Sequence, residues 1–326
     1  MNRRTFTLGL SCMAIALSMA SPQAAAQDFA SKPITMVVGF AAGGATDTAA
    51  RIIAKKLGEN LGQSVLVDNR AGAGGNIAHQ QVANAAPDGS IILLGSVGPL
   101  CIAPHLVAKL PYDPQRDLAP LTMGVSFPNV LVVHAGVPAK SFAEFLALAK
   151  AKPGALDYAS TGVGSASHLA GEMFKQRAGV DIVHVPYKGG GPAMIDLLAG
   201  RITGYYSTPS TAGPHIESGK LRALAVTGLA RLPSMPNVPT IAESGFPGFD
   251  ATNWYAFVAP GKTPKAILDR WNTELVKVLN APDVRDALNK HGLTPMPGSR
   301  DELAATIKRE SATWAKVIKD GKITAD

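Results

Sequence analysis

VVGFAAGGATDTAARI, residues 37–52, passes from an unbroken apolar stretch through two adjacent glycines into a segment with helical spacing. An apolar run without polar alternation predicts a strand buried on both faces, as in a parallel sheet, over residues 34–40. Beyond the glycines, Ala49, Ile52, Ile53 and Leu57 share one side and Arg51, Lys55, Lys56 and Glu59 lie elsewhere, which predicts an amphipathic helix over 47–60. A strand aimed at a glycine loop that opens a helix makes an anion site: the first helical N–H groups lack partners and carry partial positive charge.

Outward from this unit the alternation continues, with strands at 64–67 and 91–94 and a helix at 76–85. The middle of the chain repeats the theme. Ser141 caps a helix over 142–150, a strand follows at 156–159, and the loop STGVGSASH leads into a helix from Ala166 to about Arg177. Strands at 182–185 and 221–226 flank a helix at 193–198. After a strand at 254–259 only helices are expected, at 264–279, 282–290 and 300–319. A run of helices cannot build a lobe of its own and is expected to return onto the first sheet. This predicts two α/β lobes, 27–130 with 255–326 and 131–254, joined by two crossings near 130–134 and 253–257 with a ligand cleft between them.

The second loop, Ser160-Thr161-Gly162-Val163-Gly164-Ser165, repeats the strand–glycine–helix arrangement of the first. Neither is a nucleotide fingerprint: GFAAGG lacks the GxGxxG spacing and no GxxxxGK[ST] occurs. AGAGGN at 71–76 reads as a tight turn with structural glycines. The seven histidines show no zinc spacing, and Ser165 is not in a GxSxG elbow. His168 sits where it could touch a ligand, cap or pack; Asp47 suits capping; Lys188 reads as solvated. No catalytic constellation, metal set or cofactor motif is legible.

Residues 1–26 read as a secretory signal. Arg3 and Arg4 precede an uncharged apolar stretch, and Ala24-Ala25-Ala26 supplies the small residues for cleavage. Sec export fits better than the partial twin-arginine pattern at Arg3-Arg4-Thr5-Phe6. Export places the chain in the periplasm. Removing Arg3 and Arg4 takes the formal charge from +7 to +5. The remaining cations are scattered, which favours small anions over nucleic acid. Cys101 alone remains of two cysteines, so no internal disulfide forms.

Over its mature length the chain resembles the Bug family, the TctC-like extracytoplasmic solute receptors of tripartite tricarboxylate transporters. The resemblance rests on ITMVVGFAAGGATDTAARIIAKKLGENLGQSVLVDNRAGAGGNI, APDGSIILLG, LPYDPQRDLAPLT, STGVGSASHLAGEMFK, VPYKGGGPAMIDLLAGRI, GKLRALAVTG, NVPTIAESGFPGF and WYAFVAPGKTP, in the family's order. It implies a type II periplasmic-binding-protein fold, no enzymatic activity, and a small organic carboxylate clasped by the two loops and passed to membrane permease subunits by a monomeric receptor. The contacts it implies are Phe40, Gly43, Gly44, Asp47 and Ser96 in the first lobe. In the second they are Ser160, Thr161, Gly162, Gly164, Ser165 and Ser167. The family often carries an acid near Tyr206; the aromatic ring here predicts a plain carboxylate, dicarboxylate or aromatic acid in place of aspartate or glutamate. Two readings of other classes are a secreted enzyme acting on an acidic metabolite and a binding module for a membrane sensor kinase.

Overall fold

Ile34–Val38 forms the first strand, β1, and its apolar run is explained by burial on both faces. Ile34, Met36 and Val38 pack with Ile53, Leu57, Trp271 and Leu275, whereas Val37 joins Ala78, Val82 and Leu100 on the opposite face. The computed structural model describes residues 33–325, so the signal segment expected at 1–26 lies outside the described residues.

From β1 the chain continues through α1 (Ala45–Leu61), β2 (Val65–Asn69), a 3-10 turn (Ala73–Gly75), α2 (Asn76–Ala83), β3 (Ile91–Ser96), a π-helical turn (Gly98–Ile102), α3 (Ala103–Leu106) and β4 (Leu118–Pro128). Next come β5 (Val130–His134), α4 (Phe142–Ala151), β6 (Asp157–Ser160), α5 (Ala166–Ala178), β7 (Val183–Pro186), α6 (Gly190–Leu198), β8 (Gly204–Ser207), α7 (Pro209–Glu217) and β9 (Leu221–Val226). The chain ends with β10 (Thr252–Pro260), α8 (Lys265–Asn280), α9 (Pro282–Lys290), β11 (Thr294–Pro295) and α10 (Arg300–Gly321).

Two mixed sheets result, in the orders β11-β4-β10-β3-β1-β2 and β7-β6-β8-β5-β9. The fold is α/β with two sheet-containing lobes. β1, β2 and β3 are parallel, while β10 runs antiparallel between β3 and β4. The C-terminal helices do return to the first sheet: Trp271, Leu275, Val278 and Leu288 share its core. The expectation of helices alone after 259 misses β11, whose two residues pair with β4. α10 starts on a capping box, Ser299 with Glu302. Its Trp314 and Ile318 lie in a core that also holds Phe142, Phe174 and Tyr158, so this helix spans both lobes.

The passages between sheets lie beside the expected positions. Val130 already pairs in the second sheet and residues 252–254 in the first, so the chain crosses at Asn129 and along residues 227–251. The cause is local. Pro128 has no N–H with which to continue the first ladder, and the backbone of Asn129 turns to Thr227 instead. The Asn129 N–H donates to Thr227 Oγ1 at 2.9 Å, and the Thr227 N–H donates to the Asn129 carbonyl at 2.9 Å. Thr227 in turn accepts from the Ala251 N–H, which ties both crossings together.

Candidate functional site

The two glycine loops border one cavity, each packed against a segment of the opposite lobe. The Ala41 N–H donates to the Lys188 carbonyl at 3.1 Å, joining first lobe to second. Backbones approach so closely that a Cβ on Gly74 would stand 2.1 Å from the Val163 carbonyl oxygen, and one on Gly98 would stand 2.6 Å from that of Gly164. AGAGGN is therefore more than a turn: Gly74 is the surface on which Gly162 and Val163 rest. A Cβ on Gly189 would likewise meet the Ala41 nitrogen at 2.9 Å.

Behind these contacts lies a small cavity of about 20 Å³. Four helix starts border it: Gly44, Ala45 and Thr46 of α1, Ser165 to Ser167 of α5, Gly190 of α6, and Thr208 and Thr211 of α7. Phe40, Ser96, Thr161, Asn129, Asn253, Tyr205, Tyr206 and Tyr255 complete the wall. No lining side chain is charged. Partial charges on helix N–H groups are thus the positive element of the site.

Of the residues expected from the sequence, Phe40, Gly44, Ser96, Thr161, Ser165, Ser167 and Tyr206 come together on this wall. Gly43, Asp47, Ser160, Gly162 and Gly164 do not line it, and Gly43 is exposed to solvent. Gly43 donates its N–H to Asp47 Oδ2 at 3.1 Å, and Asp47 is held by Arg51 through Nε at 3.0 Å and Nη2 at 2.9 Å. Burial alone would raise the Asp47 pKa, but the bonds from Arg51 and the Gly43 N–H outweigh it and hold the carboxyl below its ordinary value. The arrangement removes the conflict of a carboxylate beside an anion site. Asp47 is a neutralised brace for the loop.

The second loop is braced without charge. Ser160 Oγ accepts from the Gly162 N–H at 3.1 Å and meets His184 Nε2 at 2.6 Å. The Gly164 N–H donates to His168 Nδ1 at 3.2 Å, and the Thr161 N–H to Ser167 Oγ at 2.9 Å. Ser165 caps α5 by accepting from the His168 N–H. The N–H groups of Thr161, Gly162 and Gly164 are consumed in this way. In α5 it is the first-turn N–H groups of Ala166 and Ser167 that lack an intrahelical acceptor. Gly162 and Gly164 serve by adopting positive φ, 130° and 75°, and by letting the other lobe approach.

His168 and His184 stack at 4.1 Å between ring centroids, with Tyr158 against His184. Burial pushes the His168 pKa down to about 4, so its imidazole is neutral and accepts from Gly164 through Nδ1. His168 thus packs behind the loop instead of facing the cavity. Burial, then His168 and Lys175, push His184 down to about 3. Tyr206 meets Tyr158 edge-on at 5.6 Å, and burial raises its phenol pKa, so the hydroxyl stays protonated.

Sequence reasoning missed Asn129, Asn253, Thr208, Thr211, Tyr205, Tyr255 and the start of α6. The Gly189-Gly190-Gly191 run that opens α6 carried the same strand–glycine–helix signal as the other loops and could have been read. Nothing local marks the two asparagines, which meet only where the crossing strands do. Among the described residues, no group of three or more His, Cys, Asp or Glu could hold a metal. None of the described helices is long and apolar enough to cross a membrane. Cys101 is buried beside the Ile307 carbonyl, in keeping with a small core residue.

Residues 49–323 match the family described as tripartite tricarboxylate transporter family receptor. The chain is 38% identical over 296 residues to BugT of Bordetella pertussis, covering 90% of this chain and 91% of that protein. Among solved structures it is similar to an R. palustris protein with adipate, with a TM-score of 0.87, 36% identity, and coverage of 90% of this chain and 98% of the other. It is also similar to MatC of Rhodopseudomonas palustris with bound malate, with a TM-score of 0.84, 33% identity, and coverage of 88% and 98%.

Proposed function

The chain belongs to the tripartite tricarboxylate transporter receptor family, and from that premise we propose that it is a periplasmic receptor that captures a small organic carboxylate between its lobes and delivers it to membrane permease subunits. Its family and structural neighbours are binding proteins, not enzymes. The observation that carries the reading is the enclosed cavity where α1 and α5 begin, walled by neutral polar groups and by no charged side chain. A carboxylate there takes N–H groups from both helix starts and hydroxyls from Thr161 and Ser167, while the Ser165 hydroxyl is already given to the Gly162 carbonyl. Charge-assisted bonds contribute roughly 1.5–3 kcal/mol each. Three or four suffice for micromolar binding, about −8 kcal/mol, after ordering costs. The receptors similar to this chain that hold adipate and malate support the ligand class.

A cavity this closed admits a ligand only when the lobes part, so capture is coupled to opening and closure about Asn129 and residues 227–251. The wall also argues against an α-amino acid. The ammonium would be desolvated with no carboxylate on the wall, since Tyr206 occupies the cavity and Asp47 is spent on Arg51. The test is calorimetric titration of the mature protein with succinate, malate, adipate, benzoate, aspartate and glutamate. At least one plain or hydroxylated acid should bind at micromolar affinity and more tightly than both amino acids. No binding by any carboxylate would overturn the reading, and tighter aspartate or glutamate would overturn its ammonium clause.

A further inference from the structure

The asparagine pair at the crossing strands has chemistry that a bare carboxylate does not use. Asn129 is wholly buried, and neither Nδ2 nor Oδ1 of its amide has a partner. Asn253 is 7% exposed, and its Oδ1 also lacks one. Both side chains line the cavity. The backbone of Asn129 is fixed on both sides by Thr227, and its side chain is enclosed, with no exposure to solvent. Buried amides are nearly always hydrogen-bonded in folded proteins, so two left open on one cavity point to a missing partner.

The partner's character follows from the inventory. Asn129 offers one donor end and one acceptor end, both open, and exchanging O and N in the amide leaves that requirement unchanged. A carboxylate only accepts, so it would leave Asn129 Oδ1 and Asn253 Oδ1 facing negative charge. An ammonium only donates, so it would leave the Asn129 NH₂ opposed to positive charge. A methylene serves neither end. A hydroxyl oxygen accepts from the Asn129 NH₂ and its one proton goes to Asn129 Oδ1 or Asn253 Oδ1, so it meets both kinds of open end. Ser96 Oγ and Tyr206 OH, also unpartnered on the same wall, add further hydroxyl contacts.

We infer that Asn129 and Asn253 select a hydroxy acid, its carboxylate on the helix starts and its hydroxyl on the asparagine pair. The inference rests on the carboxylate-receptor reading and narrows it to one ligand class. Asn129 is the specificity-determining residue, since of the two asparagines it is the one with both amide ends unpartnered.

Two matched series test this without any change to the protein. One is malate, succinate and aspartate, identical apart from –OH, –H or –NH₃⁺ at one carbon; the other is lactate, propionate and alanine. In calorimetric titration of the mature protein, the hydroxy member of at least one series should bind tenfold or more tightly than both companions. Asn129→Leu, similar in volume and free of unsatisfied polar atoms, should reduce the ratio of hydroxy to unsubstituted acid below threefold. Its thermal melt would verify the fold. Equal binding of the hydroxy and unsubstituted acids by the wild type, or a preference that survives Asn129→Leu, would overturn the inference and leave the carboxylate reading standing. Tight binding of adipate or benzoate alone does the same. Failure of every carboxylate removes both.

Discussion

The two loops that approach each other across the cavity look alike in sequence and are built on opposite electrostatic plans. The first is held by an ion pair, Asp47 with Arg51, whose arginine is 56% exposed to solvent. The second is held by hydroxyls and two neutral imidazoles, with His168 only 3% exposed. Salt screens the first brace and barely touches the second. Acid acts on the second through His168, which titrates at about 4, whereas the Asp47 carboxyl is held below its ordinary value. Both plans reach one end: the N–H groups of Gly43, Gly162 and Gly164 are satisfied by the brace, and the first N–H groups of the following helix lack an intrahelical acceptor.

The largest consequence is in acid. His168 has a folded pKa of about 4 against 6.5 for the free side chain. A depressed pKa means that the unfolded chain binds the proton first. The stabilisation from a neutral His168 is therefore complete above about pH 6.5 and is lost as pH falls toward 4. For a group this buried it amounts to about 3 kcal/mol. His184 is shifted the same way, and so is His79 in the first lobe, buried and pushed down to about 4. Denaturant melts between pH 7 and pH 4 should show stability falling steeply, with little dependence on salt. His168→Asn keeps an acceptor for the Gly164 N–H without the titration, so its slope should be shallower. A slope equal to wild type would remove His168 from the account.

Next in size is the contact between lobes. Gly74→Val places a branched side chain where the Val163 carbonyl lies 2.1 Å from the added Cβ, at a φ of 63° that valine resists. The lobes cannot then close to the geometry seen here. Carboxylate affinity should drop at least a hundredfold, about 2.7 kcal/mol, while small-angle scattering shows a larger radius of gyration. A folded variant that binds as wild type would show that closure does not bring Gly74 against the second loop.

The fate of these glycines also indicates what a sequence exposes. β1, the α1 helix, the second glycine loop and the α8–α10 return were legible because period, caps and breakers are local signals. The amphipathic faces of α1 and α8 and the Ser299–Glu302 capping box state their own structure. β4 was not legible, since Pro120, Gly124 and Pro128 interrupt it; it persists because β10 pairs along most of its length. α7 was hidden by Pro209, Gly213 and Pro214, residues that disfavour a helix until tertiary packing supports it. In the site, the loops announced themselves but the division of labour did not. Whether Gly164 touches a ligand or a neighbouring lobe depends on Gly98, 66 positions away in sequence. Asn129 and Asn253 carry no local mark at all.

The smallest effect tests the brace of the first loop. Asp47 has two roles there: its Oδ2 accepts from the Gly43 N–H, and its charge pairs with Arg51. Asp47→Asn separates them, since an amide oxygen can still accept from Gly43 while the negative charge is gone. Losing an ion pair with an exposed arginine costs about 0.5–1 kcal/mol at most. Removing a negative charge near a bound carboxylate acts in the opposite direction. The net change in affinity should be under threefold, whereas Asp47→Ala, which also frees the Gly43 N–H, should weaken binding more. The charge change should show in salt dependence instead. With Arg51 released from Asp47, the Asn variant gains a net cation near the site, so its carboxylate affinity should fall more steeply between low and high salt than that of wild type. A tenfold loss in Asp47→Asn at low salt would mean that the ion pair itself, not the acceptor it presents to Gly43, shapes the loop. The first loop would then owe its shape to charge, and the second to none.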